Sequence, residues 1–315
     1  MAPSSQTLPT INGLSLQAKQ SFRAFNTDVS ITLADWRDSG LLAGVEAFLH
    51  DFESRFSRFI PDSELSRFNG RQQPVAGVSP EMLALLKECV RLHRRSDGIF
   101  NPLIIEALEA AGYTTSFDQL HQRDSWHRPA PGKPPSLDCL RLDLARSQAE
   151  LPLGLRLDFG GIGKGYAVDA AASLLDAAQG FLVDAGGDMY ASGFGPDGAP
   201  WRIDVSDPYD SESAIDAVCI SNRAIATSWT TRRRWQVTGG WAHHLIDPRS
   251  GRPAESGVIG STVIAHLAVE ADVYAKCALI LGPEAGLTFL QERACEGLLV
   301  LQDRSQKHTP GWPSA

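Results

Sequence analysis

The chain has 315 residues, of which 43% are hydrophobic and 21% charged, and a formal net charge of -8. That length supplies ample core for one large or two ordinary domains, and the composition excludes a disordered or a membrane-embedded chain. The acidic balance argues against nucleic acid or anionic lipid as a partner, and no apolar run approaches the roughly 20 residues of a membrane span.

Residues 1–20, rich in Ser, Thr, Gln and Pro, read as a disordered leader without a secretory signal or a lipid-anchor cysteine. Cys89, Cys139, Cys219, Cys277 and Cys295 are odd in number, scattered, and without C-x-x-C spacing, so they read as reduced thiols and the expected compartment is the cytoplasm. "RAFNTDVSITLAD" alternates as a strand does, and residues 41–59 carry apolar side chains at helical spacing. "PDSE" at 61–64 reads as a helix stop followed by a capped start. Residues 79–98 predict a strong helix, with Ser79 as cap, Pro80 in the first turn and basic residues at its end. A short helix around residues 103–111 precedes a proline-rich loop or insertion at 114–137.

From Leu140 the pattern becomes strand, glycine turn, a helix over Ala167–Ala178, then strand. "WRIDVSDP", "AVCISNRAIATSW" and "RRRWQVTGGWAHHLIDP" read as strands with tight turns. "GVIGSTVIAH" predicts a strand, "AVEADVYAKCALILG" and "PEAGLTFLQER" helices, and "EGLLVLQ" a last strand. Helices mixed with hairpin-joined strands imply an α+β fold of layered mixed sheets with packed helices, rather than a doubly wound parallel sheet. Residues 21–301 read as one domain, with room for two lobes, and 302–315 as a tail.

The densest chemistry lies in "LDFGGIGKGYAVD" at 157–169, where an apolar strand enters four glycines within six residues, then a helix. Such a turn lets the backbone approach a phosphate. It is neither a Walker loop, since Asp158 stands where the first glycine should be, nor a Rossmann fingerprint, since Gly161, Gly163 and Gly165 give G-x-G-x-G. Other polar clusters end elements at Asp62/Ser63/Glu64, "DAGGD" (184–188) and "HHLIDPRSG" (243–251), and "EAD" (270–272) lies on a helix. Singly, these are a helix cap, two turns and a solvated acid.

Their order and spacing resemble the FAD:protein FMN transferases, the ApbE-type flavin transferases. The matching pieces are "SRFIPDSELSRFN", "DGIFNP", "LDFGGIGKGYAVD", "DAGGDMYASG", "WRIDVSDP", "AIATS", "HHLIDPRSGRP" and "STVIAHLAVEADVYAKCALILG", in family order over residues 21–301. The resemblance implies a T-fold-like architecture and binding of FAD. It also implies transfer of FMN to a Thr or Ser hydroxyl of an acceptor protein, with release of AMP. The residues it places at FAD are Phe25, Ile99, Phe100, Asn101, Asp158, Gly161, Lys164, Thr227, Ser228 and Ile246. His244 takes the place of the family's histidine and is the candidate general base, since imidazole titrates near neutral pH. The alternative for His244 is a structural pairing with Asp247, and the neighbouring His243 reads as structural.

The resemblance also implies a magnesium site: the carbonyl of Gly161, the carboxylate of Asp272, and a threonine four residues on, which would share a helix face with Asp272. Lys276 stands where that threonine is expected, and an ammonium there repels a divalent cation or pairs with Asp272. Further departures are Trp229 in place of a glycine, Asn101 in place of an aspartate, and Phe25-Asn26-Thr27 in place of Met-Gly-Thr. Two classes of function therefore stand side by side: an active transferase, and an FAD-holding carrier or sensor without transfer. An FAD pyrophosphatase lies between them.

Overall fold

The structure, a computed structural model, describes residues 17–120, 132–210, 212–237 and 240–315. Its centre is an eight-stranded antiparallel sheet: β1 (Ala18–Ala24), β2 (Thr27–Leu33), β3 (Phe181–Ala185), β4 (Met189–Ser192), β5 (Arg223–Trp229), β6 (Val258–Ala265), β7 (Glu296–Leu301) and β8 (Gln306–His308). The strands lie side by side in the order in which the chain reaches them. One face is covered by α1 (Gly40–Phe56), α5 (Gly163–Leu174) and α6 (Ala268–Leu281), with α7 (Pro283–Gln291) beside α6. The other face packs on the hairpin Trp201–Ser206/Ala214–Ile220, where Trp201, Ile203 and Val218 meet Ile225, Ile264 and Trp312. Between β2 and β3 the chain also builds α2 (Glu64–Asn69), α3 (Pro80–Arg95), α4 (Ile105–Ala110) and a small three-stranded sheet. The α+β layering expected from the sequence is thus present.

Local chemistry sets these elements. Phe25 and Asn26 join β1 to β2 with φ of 54° and 59°, a two-residue hairpin turn whose twist matches that of the strands. Gly186 and Gly187 make the equivalent turn between β3 and β4 at φ of 68° and 93°. Ser63 and Ser79 cap α2 and α3 by accepting from Ser66 N (3.0 Å) and Met82 N (3.1 Å), satisfying otherwise unpaired first-turn amides. Every residue of β6 is buried, because this central strand is covered on both faces. The helix above it, α6, is apolar on nearly all sides, as a helix enclosed by its neighbours must be.

Several segments differ from the sequence reading: Phe25 and Asn26 turn the expected strand "RAFNTDVSITLAD" into the β1–β2 hairpin, and α5 begins at Gly163, inside the expected glycine turn. Residues 155–159 run extended but join no sheet: Asn69 holds them, accepting from Leu157 N (2.8 Å) and donating to Leu157 O (2.9 Å), while Asp158 N donates to Pro102 O (2.8 Å). A side-chain amide reproduces the two bonds a neighbouring strand would supply. Residues 302–315, set apart as a tail, carry β8 and the buried Trp312, whose indole donates to Asp216 (2.7 Å). Residues 1–16 of the expected leader and 121–131 of the expected insertion lie outside the described residues.

Candidate active site

The glycine turn stands between two anchors. On its N-terminal side Asp158 is buried, with its Oδ2 2.5 Å from Arg58 Nε and its Oδ1 accepting from Gly160 N at 2.6 Å. Arg58 in turn lies over the rings of Phe59 (4.2 Å) and Tyr113 (5.2 Å). On the other side α5 begins without a side-chain cap and runs at once against α6. A Cβ on Gly165 would meet Ala268 O at 2.6 Å and Val269 Cα at 2.8 Å, so only glycine permits this crossing. From α5 Asp169 reaches back to accept from Ala268 N (2.7 Å) and Val269 N (2.9 Å), capping α6 from a different helix.

The crossing brings four charges together. Lys164 on α5 pairs with Asp188 after the Gly186–Gly187 turn, and Lys276 on α6 pairs with Asp272. Asp272 also accepts from Gly165 N at 3.2 Å, and Lys276 donates to Asp272 O at 3.1 Å. Both carboxylates are almost wholly buried, at 1% exposure each. Burial pulls the Lys164 pKa down, but the charges of Asp188 and Asp272 more than reverse this and leave it raised. Burial, then the like charge of Asp272, pushes the Asp188 carboxyl above its usual range against the opposing pull of both lysines. The quartet is neutral overall and internally matched.

Around the quartet lie two cavities. The larger, about 300 Å³, is apolar, walled by Phe25, Phe52, Ile99, Phe100, Leu245 and Ile246. The smaller, about 130 Å³, is polar, lined by Thr27, Gly187, Thr227, Ser228, Trp229 and Arg232. Gly160, Lys164, Arg233, His244 and Lys276 line both, so the cavities meet along this strip. His244 follows the hairpin Arg234–Val237/Gly240–His243, and its Nδ1 faces Arg233 O at 3.5 Å. Burial, then the charges of Arg233, His243 and Lys276, drive its pKa well below the ordinary histidine value, so the ring is neutral at pH 7. With the Nδ1 proton toward the carbonyl, Nε2 keeps its lone pair. His243 instead bonds Ala254 O (3.1 Å) and accepts from Leu245 N (3.3 Å), and Asp247 pairs with Arg249 rather than His244.

The other residues named from the sequence fall into two groups. Phe25, Ile99, Phe100, Asn101, Asp158, Gly161 and Ile246 line the apolar cavity, and Thr227 and Ser228 the polar one. Asn101 and Asp158 spend their polar atoms on the protein: Asn101 donates to Pro135 O (2.8 Å) and accepts from Leu103 N (3.0 Å). Thr227 meets Thr262 hydroxyl to hydroxyl at 3.0 Å. Trp229 packs over Gly260, where a Cβ would fall 1.9 Å from its ring, so these two residues are sterically matched.

Residues 25–299 match the ApbE family. The chain belongs to the ApbE family. Among its relatives, the FAD:protein FMN transferase of Haemophilus influenzae is 28% identical over 276 residues, spanning 82% of this chain and 77% of that protein. The enzyme of the same name from Escherichia coli K12 is 29% identical over 273 residues, spanning 84% and 76%. The crystal structure of the ApbE protein of Thermotoga maritima superposes with a TM-score of 0.83 at 25% identity, covering 94% of this chain and 97% of that one. The Pseudomonas stutzeri flavinyl transferase ApbE, in apo form, shares the fold at a TM-score of 0.81.

In this ApbE chain the residues expected to hold magnesium do not fit a divalent cation. One oxygen of Asp272 is matched by Lys276 and the other by Gly165 N, and an ammonium occupies the position where a third oxygen ligand is expected. Among the described residues no group of three or more His, Cys, Asp or Glu side chains could hold a metal ion, and no helix is long and apolar enough to cross a membrane. Arg58, Asn69, Asp169 and Arg233 also serve the site, although no motif marks them in the sequence. Only the "RRR" run at 232–234 hinted at a cationic wall.

Proposed function

We propose that this chain is an FAD:protein FMN transferase that binds FAD across the two cavities and transfers FMN to a Thr or Ser hydroxyl of an acceptor protein. The single observation that carries the reading is the meeting of an apolar and a polar cavity along a strip of Lys164, Lys276, Arg233 and His244 beside the uncapped start of α5. FAD has the same division: flat apolar ring systems joined by a diphosphate. The free amides of a helix N-terminus favour an anion there.

The reaction follows from that placement. The acceptor oxygen attacks the phosphorus on the riboflavin side, the bond from that phosphorus to the bridging oxygen breaks, and AMP leaves with the bridging oxygen. His244 Nε2 takes the hydroxyl proton, a task suited to an imidazole kept neutral by its surroundings. No step is assigned to a metal.

A second reading is favoured by the Lys276–Asp272 pair and by Trp229 on the wall of the polar cavity: FAD is held, or hydrolysed to FMN and AMP, without transfer to protein. The experiment is incubation with FAD and a flavinylatable acceptor, with chelator or with magnesium. Mass spectrometry reads FMN adducts and chromatography reads AMP. Adduct plus AMP is expected. AMP without adduct favours the second reading, and failure to bind FAD overturns both.

A further inference from the structure

Four cations border the apolar cavity near the junction: Arg58, Lys164, Lys276 and Arg233. Three are already matched to buried carboxylates, Arg58 to Asp158, Lys164 to Asp188 and Lys276 to Asp272. Arg233 has no carboxylate partner among the described residues, yet it lines both cavities. Asp204, which also borders the polar cavity, lies 3.3 Å from Arg202. The quartet of two lysines and two aspartates sums to zero charge, so it orders the junction without offering net attraction to an anion.

We propose that Arg233 is the residue that holds the diphosphate, and that it gives the site its preference for the dinucleotide over riboflavin. This rests on the FAD reading above. A guanidinium presents a planar fork of donors matched to phosphate oxygens, which a lysine already committed to an aspartate cannot do. The backbone of Arg233 is fixed at the entrance to the hairpin, since Arg234 next to it pairs with His243. Its carbonyl faces His244 Nδ1 at 3.5 Å, so one residue both orients the base and meets the phosphate that the base serves. Lys164 and Lys276 thereby keep their aspartate partners in the FAD complex.

The test is titration of the purified full-length protein with FAD and, separately, riboflavin, for wild type, Arg233→Met, Arg233→Lys and Arg234→Met. Arg233→Met should weaken FAD about 10- to 100-fold, the range of a lost charge-assisted pair, and leave riboflavin unchanged. Its FAD affinity should also depend less steeply on salt than that of wild type. Arg233→Lys should fall between, and it decides the matter if the methionine variant fails to fold. Arg234, whose guanidinium lies 4.6 Å from the exposed ring of Trp241, should be replaceable without effect. Wild-type FAD affinity in Arg233→Met, or an equal loss for FAD and riboflavin, would overturn the assignment while leaving the transferase reading intact. A wild type that binds both ligands equally would sink the FAD reading itself.

Discussion

Replacing Lys276 by threonine removes the cation matched to Asp272, whose side chain is 1% exposed. Breaking one member out of a buried ion pair costs about 3–5 kcal/mol, because the survivor is left charged and desolvated. Gly165 N still donates to Asp272 at 3.2 Å, and Lys164 still feels its charge, so the lower end applies, about 3 kcal/mol. At about 2–4 °C per kcal/mol for a chain of this size, the melting temperature should fall by roughly 6–12 °C. The threonine hydroxyl would share a helix face with the carboxylate four residues earlier, giving oxygen donors to a hard cation. Magnesium at about 100 times its dissociation constant would then return about 2.7 kcal/mol. In the wild type an ammonium and a divalent ion about 4 Å apart would repel by several kcal/mol at an effective dielectric near 20. The assay is thermal unfolding followed by circular dichroism in a magnesium series, with and without chelator. Wild type should be indifferent to magnesium, and Lys276→Thr should be stabilised by it. A wild-type melting temperature that climbs with millimolar magnesium would mean that Lys276 leaves Asp272 and that the metal-free reading is mistaken.

His244→Ala should slow transfer by about 10²–10⁴-fold with FAD affinity nearly kept, read by single-turnover AMP release; full-speed transfer would remove His244 from the chemistry. The depressed pKa of His244 also has a stability consequence. The unfolded chain takes up a proton near pH 6.5 that the folded ring refuses, so stability is lost as pH falls below that value. Melting curves of His244→Gln should decline less steeply than wild type between pH 7 and pH 5. Gly165→Ala forces α5 from α6 and should cost about 1–3 kcal/mol as an overpacked contact; denaturant unfolding without a shift in midpoint would contradict the close crossing. Asn69→Ala should cost a similar amount, since it leaves both backbone groups of Leu157 unpaired in a buried segment, about 1–3 kcal/mol.

What could be read from the sequence was local. Ser63 and Ser79 announce their caps because the residue they bond is three positions away, and Asp272 and Lys276 pair because i and i+4 share a face. The entry from the glycines into a helix is legible, but Gly163 and Gly165 lie inside α5 rather than in the turn, and what supports the turn is not legible. Asn69 lies 88 positions from Leu157, Lys164 lies 24 from Asp188, and Asp169 lies 99 from Ala268. Such pairings leave no period in the chain, and "LRLDF" alternates as a strand would whichever partner holds it. Gly165 was grouped with the phosphate-facing glycines, whereas its constraint comes from the carbonyl of Ala268 on another helix. Arg233 was one of three consecutive arginines, and only the hairpin register separates it from its neighbours.

The order of strands in the central sheet has a kinetic consequence. Most neighbouring strands are joined by connections of 30 residues or fewer, whereas residues 34–180 separate β2 from β3. Closing that loop costs roughly 1–2 kcal/mol more in chain entropy than closing one of about 30 residues. The β3 to β8 portion can therefore condense early, with α6 laid across it, while the β1–β2 hairpin waits for the intervening helices to shorten the gap. The strip that joins the two cavities draws Lys164 from within that connection and Lys276 from beyond it, so a chain caught before closure would have six strands of the sheet and no site.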